Sequence, residues 1–526
     1  DKCNELLRTG KTLGCFYIES PAMRGLLRRL KCNSYETLVA ASSIIRPGVA
    51  QSGMMREYVE RHRDHSRIKY FHPVFEEQLK DTYGVMVYQE DVIKIAHHFA
   101  KLDLNDADVL RRGMSGKSRS QQEMDKVKNQ FFSNCAAIGY PKEMVEEVYR
   151  QIASFAGYSF CKSHSASYAV ESYQSLYLKA YYPLEFITAV INNNGGFYRP
   201  EVYINEARML GAHIEAPDIN YSFANASLKD KTIHLGLDQI MHLSKKGIEG
   251  ICKAREKKGS FSSLTDILER ADLNFDDISY AIYAGALRSI SRSKGQLIIE
   301  AKRFFAHEPV KTTELQLFNI KPKEYTYEID EGDMYEDAFD EMEGLGYPVS
   351  VSPFNLLKTN YRGAVFASEL FKNEDKTVRM VGYLISIKDV PITNKDGKTK
   401  MNFGTWIDVY GGYFDTVHFP VSLKKHPFTG LGCYLLLGKI VIDHDFPSVE
   451  VQKMEKLPMI PDPRYSDEKR PDTKIWDNMR VAHSYTSRSP YPNQEELDEL
   501  YGRKPVSGKY EEKKETKNQL SIGGRR

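Results

Sequence analysis

Residues 155–182 read FAGYSFCKSHSASYAVESYQSLYLKAYY. The first six mix aromatics with Gly157 and Ser159, two helix-breaking positions, and predict a loop. Ser163 or Ser165 can then cap a helix by accepting hydrogen bonds from its free first-turn amides. That helix runs through Tyr168, Ser172, Tyr173, Leu176, Tyr177 and Lys179 until Pro183 stops it. Its entrance gathers Lys162, Ser163, His164 and Ser165 where backbone N–H groups and the helix dipole favour an anion, which makes phosphate the ligand class to expect. The same residues also suit a capped, aromatic-rich core helix whose Lys162 is merely solvated. Pattern alone leaves both readings open.

The whole chain of 526 residues is long enough for several domains, each with its own core. Hydrophobic content of 41% and charged content of 27% describe a soluble globular protein. A net charge of +2 means that any nucleic-acid surface must come from local basic patches. Seven cysteines are scattered without a C-x-x-C pair, which argues against a disulfide framework or a zinc site and fits a reducing, cytoplasmic compartment. No signal peptide and no membrane-spanning apolar run are present, so no membrane partner is expected. The chain begins with Asp1, which suggests a piece of something longer or a processed product.

The string GYSFCKSHSASYA is similar to the G-Y-x-F-x-K-S-H-S-x-x-Y-A segment in the fingers of the bacterial C-family replicative polymerases, the DNA polymerase III alpha subunits. Further segments resemble the same fingers: Phe16, Ile18, Glu19, Ser20, Met23 and Arg24, then Arg46-Pro47-Gly48 with Ser52-Gly53-Met54. Pro47-Gly48 predicts a turn holding Arg46. Met23, Leu26, Leu27 and Leu30 follow helical spacing, with Arg24, Arg28 and Arg29 on the other face. Residues 70–118 carry the densest match, in H-P-x-x-E, T-Y-G-x-x-x-Y-Q-E and A-D-x-L-R-R order. Gln89–Phe99 is by pattern an amphipathic helix with Val92, Ile95, Ala96 and Phe99 inward. Asp103–Asp106 offers caps for the next helix, which carries Arg111 and Arg112. Residues 119–155 read as ordinary packed helices.

The resemblance implies that Arg111, Arg112, Lys117 and Lys162 neutralise the triphosphate of an incoming dNTP, with Ser163 donating a hydrogen bond and His164 near the sugar. Guanidinium suits that role because it is permanently charged and bidentate. This chain has RRGMSGKS where the family usually has R-R-A-M-G-K-K, so Gly116 replaces a lysine.

Residues 226–300 resemble a tandem helix-hairpin-helix region, whose glycines let backbone amides approach a DNA phosphate. Met241-His242-Leu243-Ser244 stands where the first pair of glycines is expected, beside a basic run that includes Lys245, Lys246 and Lys253. A DNA-contacting hairpin and a merely structural one both fit. The second copy, around Gly285, matches better, and Arg46 is the further DNA-contact expectation. Residues 301–345 are acidic with few core residues and read as a linker. Within it, Glu314-Leu315-Gln316-Leu317-Phe318 resembles the peptide by which alpha subunits hold the sliding clamp, with Leu317 and Phe318 as anchors.

Residues 346–460 contain alternating apolar runs between turns, including Asn394-Lys395-Asp396-Gly397, which predict a small antiparallel barrel of the OB-fold type. Such barrels bind single strands by stacking bases on aromatics, for which Tyr383, Trp406, Phe414 and His418 are the candidates. Asp443-His444-Asp445 reads as a solvated turn, and 461–526 as a disordered tail.

The expected fold is therefore multidomain α+β: helical fingers over 1–225, hairpins over 226–300, linker, barrel and tail. Catalysis in the family needs Mg2+ held by palm carboxylates upstream of the matching segment, and no metal ligand is assigned here. The implied partners are template-primer DNA, single-stranded DNA, the sliding clamp and other replicase subunits, with this piece inactive alone. Two other classes stay open: a non-enzymatic DNA-binding or clamp-tethering module, and an RNA-binding OB-fold protein.

Overall fold

A computed structural model describes residues 2–45, 53–114, 121–154, 161–193, 196–306, 332–394 and 397–463. The chain divides into two compact units, Asp1–Pro183 with Ile442–Phe446, and Leu184–Val441 with Pro447–Arg526.

The first unit is helical: α1 (Lys2–Thr9), α2 (Pro21–Arg29), α3 (Tyr35–Ile44), α4 (Met54–Arg63), α5 (Pro73–Leu79), α6 (Gln89–His98), α7 (Leu104–Met114), α8 (Gln121–Ile138), α9 (Lys142–Ser154) and α10 (Lys162–Tyr181). Local chemistry sets the starts. Ser20 caps α2 by accepting from Met23 N–H with Pro21 in the first turn, and Ser34 caps α3 through Thr37 N–H. Met23, Leu26, Leu27 and Leu30 are buried as their spacing predicts, and so are Val92, Ile95 and Ala96 of α6 and Phe99 at its C-cap. Asp103 accepts from Asp106 N–H at 2.7 Å and opens α7.

The segment Ile442–Phe446 corrects one expectation. Asp443 pairs with Arg29 at 2.8 Å, and Asp445 with Lys31 at 3.0 Å and Arg63 at 2.7 Å, so these carboxylates are ion-paired rather than simply solvated. The Arg29 guanidinium also lies 4.5 Å from the centre of the Phe446 ring.

The second unit continues with α11 (Pro183–Asn193) and α12 (Pro200–Met209). A small sheet follows, with β1 (His213–Glu215), β2 (Ser227–Lys229) and β3 (Thr232–His234) in the order β1-β3-β2. Four helices come next: α13 (Lys245–Lys258), α14 (Leu264–Arg270), α15 (Phe275–Tyr283) and α16 (Lys294–Ala306). The acidic stretch expected to be a linker is instead, over α17 (Met334–Gly344), a packed helix. Met334, Tyr335 and Ala338 join a core cluster, and the acids find internal partners. Lys294 pairs with Asp337 and Asp340, and Glu341 accepts from the N–H groups of Val349 and Ser350.

Five strands then close a barrel in the order β4-β5-β6-β8-β7, from β4 (Thr377–Asn394), β5 (Gly397–Ile407), β6 (Tyr413–His418), β7 (Cys433–Asp443) and β8 (Phe446–Lys456). β6 and β8 run parallel and helix α18 (Pro420–Lys425) joins β6 to β7, which makes this an OB-fold. Asn394 pairs with Gly397, which fixes the β4–β5 hairpin where its turn residues predict it.

The barrel interior is filled by Val378, Met380, Leu384, Trp406, Phe414, Tyr434 and Leu436 with their neighbours. Trp406 Nε1–H donates to Thr416 Oγ1 at 2.8 Å, and the same hydroxyl lies 2.7 Å from His418 Nε2. Gly382 is required by this packing: a Cβ there would sit 2.6 Å from Phe414.

Burial lowers the His418 pKa to about 4, and its Nδ1 has no hydrogen-bond partner. The unfolded chain takes up a proton near the ordinary value of about 6.5, so the contribution of His418 to stability is complete above that pH and is lost progressively down to about 4. With Trp476→Phe, Trp406 fluorescence in urea reports barrel unfolding. Between pH 7 and 4, wild type should lose on the order of 3 kcal/mol more than His418→Gln. Equal losses would show that His418 does not titrate as a buried neutral ring.

Candidate nucleotide and nucleic-acid sites

The head of α10 is held in place from behind. Ser165, expected as a possible cap, is buried instead, with its hydroxyl 2.6 Å from that of Ser43 on α3. Ser172 Oγ donates to Phe16 O at 2.9 Å, Tyr35 OH to Ala166 O at 2.7 Å, and buried Lys179 Nζ to Leu13 O at 2.6 Å. The N-cap residue is Cys161, which makes no side-chain cap bond. Both oxygens of the Glu90 carboxylate do that work, accepting from Lys162 N–H at 3.1 and 3.0 Å.

Glu90 opens α6, and its neighbour Gln89 accepts from Arg111 Nη1 at 2.9 Å. The Gln89-Glu90 pair therefore links the two basic segments singled out in the sequence, α7 and the head of α10. Asp91, next along, is buried; its carboxyl is pushed up by burial although it accepts from Val87 and Tyr88 N–H. Arg111 and Arg112 share Asp108: Arg111 Nε is 2.9 Å from Oδ1 and Arg112 Nε 2.6 Å from Oδ2. Burial acts to raise the Asp108 pKa, but the two guanidiniums together hold it below the usual carboxylate value.

Lys162 and Ser163 are exposed, with Lys162 Nζ 5.4 Å from the Tyr88 ring centre. The His164 ring packs 4.3 Å from that of Tyr168, which itself meets Phe16 and Tyr17. Lys117 and Arg46 lie outside the described residues, as does the clamp-like peptide Glu314-Leu315-Gln316-Leu317-Phe318. Sequence reasoning found the cations and missed their connectors. The Q-E preceding an amphipathic run was the available signal, because a carboxylate in the first turn of one helix can cap the next.

In the hairpin region, Lys246 pairs with Asp272 at 2.5 Å, Lys253 with Glu249 at 3.0 Å, and Lys245 is exposed. Gly285 has φ of +71°, the left-handed conformation that favours glycine.

The barrel overturns most of the stacking expectation. Trp406, Phe414 and His418 are 0%, 2% and 0% exposed, so no base can reach a ring face. Strict alternation identifies two faces without saying which one is inside; Trp406 and Phe414 are cross-strand partners pointing inward. Tyr383 is half-buried against a second apolar cluster outside the barrel core. Phe403, at 39% exposure and paired with Lys388, is on the outer wall and was not singled out.

Among the described residues no group of three or more His, Cys, Asp or Glu side chains is placed to hold a metal ion, so no step is assigned to Mg2+ here. No helix among them is long and apolar enough to cross a membrane.

Residues 1–139 match the family model of the bacterial DNA polymerase III alpha subunit finger domain, and residues 211–297 that of a helix-hairpin-helix motif. The chain is 31% identical over 491 residues to DNA polymerase III subunit alpha of Borreliella burgdorferi, covering 87% of this chain and 41% of the relative. It is 31% identical over 479 residues to that of Treponema pallidum (86% and 40%), and 32% over 368 residues to that of Aquifex aeolicus (68% and 31%). It spans about two fifths of the length of the first two relatives. A chain with finger-domain sequence in its first unit, and related to alpha subunits along most of its length, belongs to the family of bacterial DNA polymerase III alpha subunits.

Proposed function

We propose that this chain is the part of a DNA-directed DNA polymerase that grips the incoming dNTP and handles template and primer. The observation that carries the proposal is the link from Arg111 through Gln89-Glu90 to the Lys162 amide. Arg111, Arg112, Lys162 and, from sequence, Lys117 supply positive charge for a triphosphate. The head of α10 supplies N–H donors at the positive end of a helix dipole. A phosphate there replaces the Glu90 carboxylate, exchanging one anion for another on the same amide. Ser163 donates a hydrogen bond, and His164, backed by Tyr168, lies by the sugar.

In this reading the helix-hairpin-helix region binds template-primer duplex and residues 314–318 bind the sliding clamp in company with other replicase subunits. Residues 1–225 are the fingers, 226–300 the hairpins, 346–460 the barrel and 461–526 a tail. Mg2+ and the carboxylates that hold it belong to the full-length enzyme beyond this chain, which works in the cytoplasm. The barrel binds single-stranded template on its outer wall, around Phe403, Lys388 and Tyr383.

In the full-length polymerase, Arg112→Ala or Lys162→Ala should lower kcat/KM for dNTP by about 10- to 100-fold, the loss of one charge-assisted hydrogen bond. Thermal stability should hold because both side chains are exposed. Unchanged kinetic constants would remove these residues from the nucleotide site. The 526-residue chain alone should show no primer extension with Mg2+ and dNTPs; extension at ordinary enzyme concentration would contradict the assignment of the metal carboxylates to another part. Phe403→Ala should weaken single-stranded oligonucleotide binding about fivefold or more, as loss of one base stack does. An unchanged affinity would place the strand elsewhere.

A further inference from the structure

The first hairpin keeps its backbone shape without its glycines. His242 has φ of +60°, a left-handed conformation uncommon outside glycine, at the place where glycine was expected. Ser244 then caps α13, its Oγ accepting from Gly247 N–H at 2.9 Å. In a hairpin that contacts DNA, amides at this turn donate to a phosphate oxygen.

Here that position is taken. Ser244 N–H donates to Asp277 Oδ1 at 2.7 Å, and Ser244 Oγ donates to Asp277 Oδ2 at 3.2 Å. Asp277 is 3% exposed and is fixed on α15 by reciprocal bonds with Asn274. It packs closely enough that a Cβ on Gly247 would lie 3.2 Å from its Cγ. A carboxylate resembles phosphate in charge and in its acceptor oxygens, and the start of a helix stabilises either. Two of the neighbouring cations are also engaged, Lys246 with Asp272 and Lys253 with Glu249, while Lys245 is exposed. At the second hairpin Gly285 is buried, its N–H donating to Ile282 O at 2.9 Å; Arg288, whose Nε donates to Gly285 O at 2.9 Å, and Arg292 are exposed beside it.

We propose that Asp277 fills the phosphate position of the first hairpin from inside the protein, so that this hairpin does not hold DNA and duplex contact falls to the exposed arginines of the second hairpin, Arg288 and Arg292. The proposal rests on the reading that this region binds duplex.

The test is anisotropy of a labelled blunt duplex with the full 526-residue chain, titrated across salt concentrations. Each phosphate contact contributes about 0.9 to the slope of log affinity against log salt. Lys245→Gln with Lys246→Gln should leave affinity within about twofold of wild type and the slope unchanged, whereas Arg288→Gln should weaken binding and make the slope shallower by about one. Asp277→Asn keeps an acceptor for Ser244 N–H but removes the charge; it should bind about threefold or more tighter with a slope steeper by about one. If wild type binds and the lysine pair variant loses affinity and slope, the proposal alone fails. If neither wild type nor Asp277→Asn binds duplex, the duplex reading fails and takes the proposal with it. Binding by Asp277→Asn alone would support closure of the first hairpin.

Discussion

The first unit depends on the buried polar seam behind α10. A helix with aromatics on several faces has no single apolar stripe to orient it, and α10 carries buried Ser165, Ser172 and Lys179 among its inward residues. Burying hydroxyls and an ammonium costs free energy unless each finds a partner, and each bond costs about 1–3 kcal/mol to leave unmade. The partners are specific: Ser43, Phe16 O and Leu13 O. Sliding or rotating the helix would orphan all of them together. The seam therefore fixes rotation and register more strictly than apolar packing would, and with them the direction in which Lys162 and Ser163 face.

Carboxylates recur as the means by which the chain settles its own backbone. Glu90 holds the first amide of α10, Asp91 the amides before α6, and Glu341 those of Val349 and Ser350. In the barrel, Asp408 accepts from Ala367, Tyr410 and Gly412 N–H, and burial pushes its carboxyl up to about 6. The near-neutral net charge thus hides an uneven division of labour. Many acids are consumed internally, while Arg112 and Lys162 stay exposed.

Much of this architecture was legible in the sequence. Helical spacing found the inward residues of α2 and α6, and turn chemistry found the β4–β5 hairpin, because those signals are local. What failed was relational. Trp406, Phe414 and His418 alternate as outward residues would, and only closure of the barrel decides which face is inside. The acidic stretch before 345 looked like a linker because composition cannot show that Lys294 waits for its carboxylates. Ser165 looked like a cap because the distant Ser43 and Glu90 are invisible to a local reading. The cations of α7 and the head of α10 were legible as residues, and their connectors were not.

The interior of the barrel constrains which substitutions it can accept. Trp406, Phe414, Thr416 and His418 interlock with Gly382 and Gly404, so a change at any one of them demands changes at the others. The exposed part of the outer wall, around Phe403, carries no such obligation. Single replacements there can retune what this barrel touches, whereas its inner residues can change only in concert.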